Sequence, residues 1–297
     1  MGEIPWGFYF VRKEGVWMKE YRSFYKTVGG NEGTKCRYPT RLDSYGCGCS
    51  HNCGYCYARS LLEFRNLWHP KEPAVADIRK ICRKLDKVEQ GTVLRLGGMT
   101  DCFQPMERKH RVTYQVIQEL NKRKIGYLIV TKSAMAADDE YIEIYDPELA
   151  HIQITITATD DGKALEYEKA DAISDRITAI EKLQMHGFDV AVRLSPFIPE
   201  FIDFDILNGI RCDKILVEFL RCNSFIRRTF TIDYSCYTVK QSGYRHLPLE
   251  KKRYWLSKIS GFREMTVCED ESEAYEFWKR NVNHDPDDCC NLRKNVG

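Results

Sequence analysis

The sequence lacks the long apolar runs of a membrane protein, since no stretch is long enough to cross a bilayer. Its first residues also lack the apolar stretch of a secretory signal, so we expect a cytoplasmic protein without membrane contact. Neither sign of charge is in large excess, and the formal net charge of +2 argues against strong, general binding to polyanions. The 297 residues, 43% of them hydrophobic, are enough to bury a full core as one large domain or two small ones.

Cysteine, by contrast, is abundant. In a reducing compartment, 13 cysteines are more typical of ligands, reactive groups or small buried hydrophobes than of disulfides. Three of them, Cys49, Cys53 and Cys56, follow the spacing C-x3-C-x2-C. This spacing favours an iron–sulfur cluster with one iron left free, because such clusters normally have four thiolate ligands. A structural zinc site with Cys47 or His51 as fourth ligand is the competing interpretation, although no second C-x2-C pair follows at ribbon spacing.

Short β-type runs alternate with helical patterns between residues 41 and 262, which indicates βαβ units and a parallel sheet of the α/β class. Six such units fall short of the eight that close a complete barrel. Site residues should gather at the carboxyl ends of the strands, where loops vary freely. The predicted strands are Leu42–Gly46, Thr92–Leu96, Tyr127–Thr131, Ile152–Thr157, Val190–Leu194 and Lys214–Phe219, and the predicted helices are Tyr55–Arg65, His110–Lys124, Asp175–His186 and Phe204–Gly209.

The composition divides the chain into three parts, with a basic and aromatic insertion inside the second. The C-terminal part also contains a predicted strand, a predicted helix and a cysteine-rich tail. The parts are an aromatic-rich N-terminal extension over 1–40, a main domain over 41–262 with its insertion at 221–253, and a C-terminal addition over 263–297 with a strand at Met265–Cys268 and a helix at Glu271–Arg280.

The cysteine spacing, with the aromatic Tyr55 directly before the last cysteine, resembles the radical S-adenosylmethionine (SAM) superfamily. The longer run Tyr45–Arg59 and the string Thr100–Glu107 resemble a narrower branch, the spore photoproduct lyase-like enzymes. The resemblance implies a partial (β/α)6 TIM-type barrel and a [4Fe-4S] cluster on Cys49, Cys53 and Cys56, whose open iron binds SAM. It also implies that an electron from a donor such as flavodoxin or ferredoxin cleaves SAM to a 5′-deoxyadenosyl radical, which removes hydrogen from a substrate.

The same resemblance implies residues that bind SAM. Gly97 and Gly98 end the second strand and let the backbone approach a ligand closely. Many family members continue with a glutamate where this chain has Met99, which shifts the expected polar contact onto Thr100 or Asp101. The other implied contacts are Tyr55, Lys132 for the SAM carboxylate, Thr155 on the fourth strand, and Arg193, which either meets the carboxylate or pairs with Glu218.

Cysteines outside the motif have less defined roles. Cys102 lies just beyond the glycine pair, and the resemblance suggests it as the catalytic thiol that returns a hydrogen atom to the product. Cys289 and Cys290, together with Cys268 and His284, could hold a second metal or cluster, or provide a redox-active or substrate-facing thiol.

The stretch 221–254 mixes basic and aromatic side chains, as do surfaces that stack bases and contact phosphates. We therefore expect a nucleic acid or nucleobase substrate, modified or repaired by lyase-type chemistry. The alternatives are radical modification of a peptide or small metabolite and, from another class, a non-catalytic zinc-binding protein.

Overall fold

The computed structural model describes residues 8–13, 16–27 and 35–293, with side-chain surroundings from residue 22 onward. Part of the expected N-terminal extension therefore lies outside the described residues. None of the helices in this part of the chain combines the length and the hydropathy that a membrane crossing requires. Its strands are β1 (Phe8–Lys13), β2 (Val16–Tyr21), β3 (Phe24–Lys26), β4 (Thr40–Leu42), β5 (Tyr45–Gly46), β6 (Ala74–Val75), β7 (Val93–Leu96), β8 (Gly126–Thr131), β9 (Ala150–Ile156), β10 (Asp189–Phe197), β11 (Lys214–Phe219), β12 (Val239–Gln241), β13 (Tyr244–His246) and β14 (Glu264–Val267).

The main sheet has the strand order β3-β4-β7-β8-β9-β10-β11-β14. From β4 to β14 every neighbouring pair is parallel, and β3 joins antiparallel at the edge. The predicted α/β partial barrel is thus confirmed. The strand expected in the C-terminal addition is present as β14 and extends the barrel by a seventh parallel strand.

One strand was predicted wrongly. The first strand was expected at Leu42–Gly46, but the main sheet uses Thr40–Leu42 instead, and Tyr45–Gly46 pairs separately with Ala74–Val75. The physical reason is Asp43, whose carboxylate turns away from the strand to bind backbone amides of the next strand's loop.

Helices cover the outer face of the sheet, as the apolar positions of both elements require. The expected helices differ from the structure by two residues or fewer at either end, whereas α2 and α10, of eight residues each, and the short α3, α5, α6 and α9 were not predicted. The helices are α1 (Tyr57–Phe64), α2 (Ile78–Leu85), α3 (Glu107–His110), α4 (Val112–Lys122), α5 (Asp139–Ile142), α6 (Asp161–Leu165), α7 (Ile173–Met185), α8 (Phe204–Asn208), α9 (Ile226–Thr229), α10 (Leu249–Leu256) and α11 (Ser272–Asn281), with 3₁₀ turns at Ala134–Ala137 and Pro199–Phe201.

The last described residues, 283–293, return to the amino-terminal edge of the sheet. Asp189 opens β10 and accepts a hydrogen bond from the backbone N–H of Arg293 at 2.7 Å. Lys214 opens β11 and donates to the carbonyl of Asn291 at 2.8 Å, while Tyr38 donates to Asp288. These contacts bring the cysteine-rich tail against the inner face of the barrel.

Asp189 should therefore contribute to stability in a pH-dependent way. Burial would raise its pKa, but the hydrogen bond from His151 and the Lys214 ammonium lower it below the ordinary value. A depressed carboxyl pKa stabilises the fold above about pH 4, the unfolded value, and the contribution is lost as pH falls through the folded pKa. We expect Asp189→Asn to lower the free energy of unfolding at pH 7 by about 3 kcal/mol.

Urea unfolding of both forms at pH 7 and between pH 5 and 3 measures this effect. The difference between them should shrink below about pH 4. The exposed Asp205→Asn serves as control and should change little. A pH-independent difference would contradict the assignment.

Candidate functional site

A cavity of about 220 Å³ lies inside the barrel and opens between the carboxyl ends of the strands. Its lining combines residues that are far apart in the chain, because parallel strands bring their carboxyl ends to one rim. Among the residues expected from the sequence, those that line it are Cys49, Cys53, Cys56, Tyr55, Gly97, Gly98, Thr100, Asp101, Lys132, Thr155 and Arg193.

The three cysteines of the motif lie in the wall of this cavity, where Cys49 and Cys53 are buried and Cys56 is half-buried. Cys56 is also the N-cap of α1, where its sulfur accepts the backbone N–H of Arg59 at 3.4 Å. Burial raises the pKa of all three thiols, that of Cys49 to about 12, while the Lys132 ammonium partly opposes this at Cys53 and Cys56. Thiolates at this place therefore require a nearby positive charge, which coordinated iron would supply.

The surroundings fit a cluster with three protein ligands better than a zinc ion with four. Cys47 packs against Leu62 and Leu67 in a separate apolar group. His51 points its Nδ1 at Asp101, 3.4 Å from Oδ2. Across residues 22–27 and 35–293, no three His, Cys, Asp or Glu side chains are grouped as a single metal ion needs. Thiolates that each bind a different iron of one cluster need not converge on one point.

The glycine pair after β7 is held by Asp43, a residue that sequence reasoning missed. Asp43 accepts the backbone N–H of Gly98 at 2.5 Å and that of Met99 at 3.1 Å. A Cβ on Gly98 would lie 2.3 Å from the hydroxyl oxygen of Tyr25 and 2.8 Å from Cδ of Arg41, so any other residue would displace these side chains. An aspartate inside a predicted interior strand was the available signal, but it does not by itself indicate a partner.

Asp101 uses both carboxylate oxygens inside the protein. Oδ1 accepts from the Thr131 hydroxyl at 2.7 Å and the Phe103 N–H at 2.8 Å, and Oδ2 accepts from the Lys132 N–H at 2.8 Å. Burial opposes its ionisation, but the charge and hydrogen bond of His51, with the other donors, lower its pKa to about 2. Thr100 likewise donates to the carbonyl of Tyr45. Both residues line the cavity, and their contact with SAM stays a prediction.

Lys132 stands beside the cysteines, with its Nζ 5.6 Å from the centre of the Tyr55 ring. The Tyr55 hydroxyl donates to Glu168, which is buried and also pairs with Arg176. Burial would raise the pKa of Glu168, but Arg176 and then Lys132 lower it. Glu168 and Arg176 therefore support the cysteine loop, a role that their spacing in the sequence did not reveal.

The sequence left the partner of Arg193 and the role of Cys102 undecided. Arg193 pairs with Glu218 and donates to Gln153 at 2.8 Å, so the structure has the internal ion pair. Cys102 is fully buried in the outer core and is not among the cavity-lining residues. Its catalytic role therefore stays a prediction without support from the geometry.

The C-terminal cysteines reach the same cavity. Cys268 and Cys289 line it together with Cys36, and Cys290 packs behind them, while His284 is elsewhere. In the described part of the chain they do not form a group arranged for a single metal ion.

A family model described as the Radical SAM superfamily matches residues 44–208, more than half of the chain. The chain belongs to the radical SAM superfamily. The matched segment begins at the buried Ser44 before the cysteine loop and ends in α8, so it includes β7 to β10 and all three motif cysteines.

Solved radical SAM proteins share this fold. Spore photoproduct lyase complexed with dinucleoside spore photoproduct aligns with a TM-score of 0.57 and 14% identity, over 77% of each chain. A Tyr-to-Phe mutant of that enzyme gives 0.59 and 14%, over 77% of this chain and 76% of that one. The resemblance to the spore photoproduct lyase-like branch is thus confirmed at the level of the fold.

An uncharacterized protein of Methanocaldococcus jannaschii is 24% identical over 169 residues, which are 54% of this chain. The chain spans about 62% of the length of this curated relative. Superfamily membership implies a [4Fe-4S] cluster and SAM, as predicted, and one similar structure of spore photoproduct lyase is described with bound AdoMet.

Individual replacement of Cys49, Cys53 or Cys56 by alanine should remove most iron and sulfide from protein reconstituted without oxygen. Each thiolate holds a different part of the cluster, and the remaining two cannot retain it. Metal analysis and visible absorption measure the loss.

Cys47→Ala is the matched control, because Cys47 lies in the same loop but packs against leucines. It should keep the iron content of the parent protein. Loss of bound zinc from Cys47→Ala would instead support the four-ligand zinc site.

Proposed function

We propose that this protein is a radical SAM enzyme that removes a hydrogen atom from a nucleic acid or nucleobase substrate. The observation that carries this proposal is the convergence of the three motif cysteines, Lys132 and the glycine pair on one cavity. When bound, the reduced cluster and SAM supply a carbon radical that can attack an unreactive C–H bond. The protein's own contribution is positioning and exclusion of water.

The residues of the rim suit the amino-acid end of SAM. Lys132 carries a compact positive charge into the cavity, which suits a carboxylate. The Tyr57 hydroxyl donates to the carbonyl of Gly98 at 2.7 Å and fixes the loop after β7. Tyr55 packs edge-on against Phe230, at 5.6 Å between ring centres, and this apolar contact closes the side of the site.

Only some of the basic residues in the insertion are exposed and could contact a nucleic acid. Arg227, Arg228 and Lys251 are exposed, but Lys252 is fully buried and pairs with Glu269. The expected surface is therefore smaller than the sequence suggested. Arg227 lies 5.5 Å from the centre of the Tyr234 ring, and Lys251 shares α10 with Tyr254, which is 53% exposed. These basic and aromatic side chains remain suited to a single strand.

A small metabolite or peptide is the second candidate substrate. The burial of Phe230, Tyr237 and Lys252 favours it, because these side chains cannot stack bases or contact phosphates. For either substrate we also propose a reducing partner such as flavodoxin or ferredoxin and a cytoplasmic location.

Lys132→Met should weaken SAM binding by roughly 10- to 100-fold, the loss expected for a hydrogen bond between charged groups. Lys132→Arg keeps the charge and should lose less. Equilibrium binding of SAM to the reconstituted protein, followed by dithionite-driven release of 5′-deoxyadenosine, measures both steps.

Lys109→Met, which removes an exposed lysine from α3, is the control and should bind SAM normally. Unchanged affinity in Lys132→Met would assign the carboxylate to another residue. Absence of reductive SAM cleavage by the parent protein would reject the enzymatic proposal.

Charge reversal at Arg227, Arg228 and Lys251 should weaken binding to single-stranded DNA or RNA. If all three contact phosphates, the slope of log K against log salt should become shallower by about 2. Reversal at Arg79, Arg83 and Lys87, which are exposed on and just after α2, provides a control of equal charge. Equal binding by both triple variants would favour the small-metabolite substrate.

A further inference from the structure

Arg95 is a half-buried cation in the wall of the barrel that forms no direct ion pair with another described residue. It lies on β7, lines the cavity, and its Nε is buried without a hydrogen-bond partner. Among the described residues its guanidinium takes part in no salt bridge. An arginine in a protein interior normally has an anionic partner, since an uncompensated buried charge has lost its hydration. A partner for Arg95 must therefore come from elsewhere.

The anionic groups around Arg95 are already engaged. Burial would raise the pKa of Glu218, but the charges of Arg193, Arg221 and Arg95 lower it. Its carboxylate nevertheless pairs directly with Arg193, and it accepts a hydrogen bond from the Ser195 hydroxyl at 2.9 Å. Cys36 also lies near Arg95, yet burial is the largest influence on its thiol and raises its pKa. Cys290 is the internal group left as a competitor, because a hydrogen bond with Cys289 lowers its pKa, with Arg193 and Arg95 adding to this.

A second arginine stands next to Arg95. Arg41 on β4 is its direct partner in the parallel pair of strands and also lines the cavity. Neighbouring strands are about 4.8 Å apart, so the two guanidinium groups raise the positive potential of one wall. Planar guanidinium groups bind the oxygens of phosphate and carboxylate through parallel hydrogen bonds.

Arg95 lies deeper in the barrel than Lys132, the residue proposed to bind the SAM carboxylate. Arg95 lies opposite Leu128 of β8, and Lys132 follows four residues later in the chain. At 3.3 Å per residue, the two positions are roughly 13 Å apart along the strand. An anion at Arg95 would thus sit deeper in the barrel than a carboxylate held at the rim.

We propose that Arg95, with Arg41 beside it, binds an anionic group of the substrate, either a phosphate or a carboxylate. That the anion belongs to the substrate rests on the proposed function, whereas the existence of an anion site at Arg95 does not. The substrate is then a nucleotide or an anionic metabolite, and a neutral nucleobase alone leaves Arg95 unpaired.

Thermal unfolding of the full chain, purified without oxygen, tests the site without any SAM chemistry. Potassium phosphate or succinate is added at constant ionic strength, with chloride as the balancing salt. We expect one of the two to raise the Tm of the parent protein by about 2 °C or more, and Arg95→Gln to abolish the rise. In chloride alone, Arg95→Gln should be at least as stable as the parent, because it removes an unpaired charge.

Arg95→Lys should keep part of the response, and Arg79→Gln, an exposed change on α2, should keep all of it. A response to phosphate alone identifies a phosphate ester, and a response to succinate alone a carboxylate. Lower stability or failure to fold of Arg95→Gln in chloride would overturn the proposal and make Cys290 the structural partner. Absence of any response in the parent protein would overturn it as well. Loss of SAM cleavage with an intact anion response would reject the enzymatic function only.

Discussion

The carboxylate of Asp101 joins three loops that meet at the rim of the barrel. It accepts the Thr131 hydroxyl and the Lys132 N–H after β8, the Phe103 N–H within its own loop, and it faces His51 of the cysteine loop. A buried carboxylate is unfavourable unless it is hydrogen-bonded, and here these donors hold its pKa at about 2. The position of Lys132 relative to the cysteines therefore depends on one satisfied buried charge.

Two further buried carboxylates also hold parts of the cavity wall through hydrogen bonds. Asp43 fixes the backbone of Gly98, and Glu168 fixes Tyr55 from behind through its hydroxyl. Burial raises the pKa of Asp43, whereas the hydrogen bonds from the N–H groups of Gly98 and Met99 oppose this rise. Rigid support of this kind keeps the cavity walls in position before a ligand arrives, which reduces the reorganisation that binding requires.

The parallel strands were predictable because short runs rich in β-branched residues alternate with helical patterns. In β8 the run 127–130 is continuously apolar, and such a run between turn residues indicates an interior strand. The cysteine motif was predictable for another reason, since its ligands are close in sequence. Both signals are local, and the expected site residues other than Cys102 line one cavity.

Contacts between distant side chains were not predictable in this way. The partner of Asp43 lies 55 residues away, that of Tyr55 lies 113 residues away, and neither spacing has a meaning before the chain is folded. For the same reason, the sequence did not distinguish between the two possibilities for Arg193, a contact with the SAM carboxylate or an ion pair with Glu218. Only the register of β10 and β11 shows that Glu218 is within reach.

The family match ends at residue 208, but residues after this point also line the cavity. Glu218, Arg221, Cys268 and Asp287 line it from elements beyond that point. Arg221 pairs with Asp270 and lies 5.7 Å from the Tyr57 ring centre, so the insertion and the C-terminal addition are tied to the rim itself. The family model covers α1 and β7 but none of these later elements, so part of the cavity wall lies outside the match. An anion held at Arg95, as proposed above, would share its cavity with side chains of these later elements.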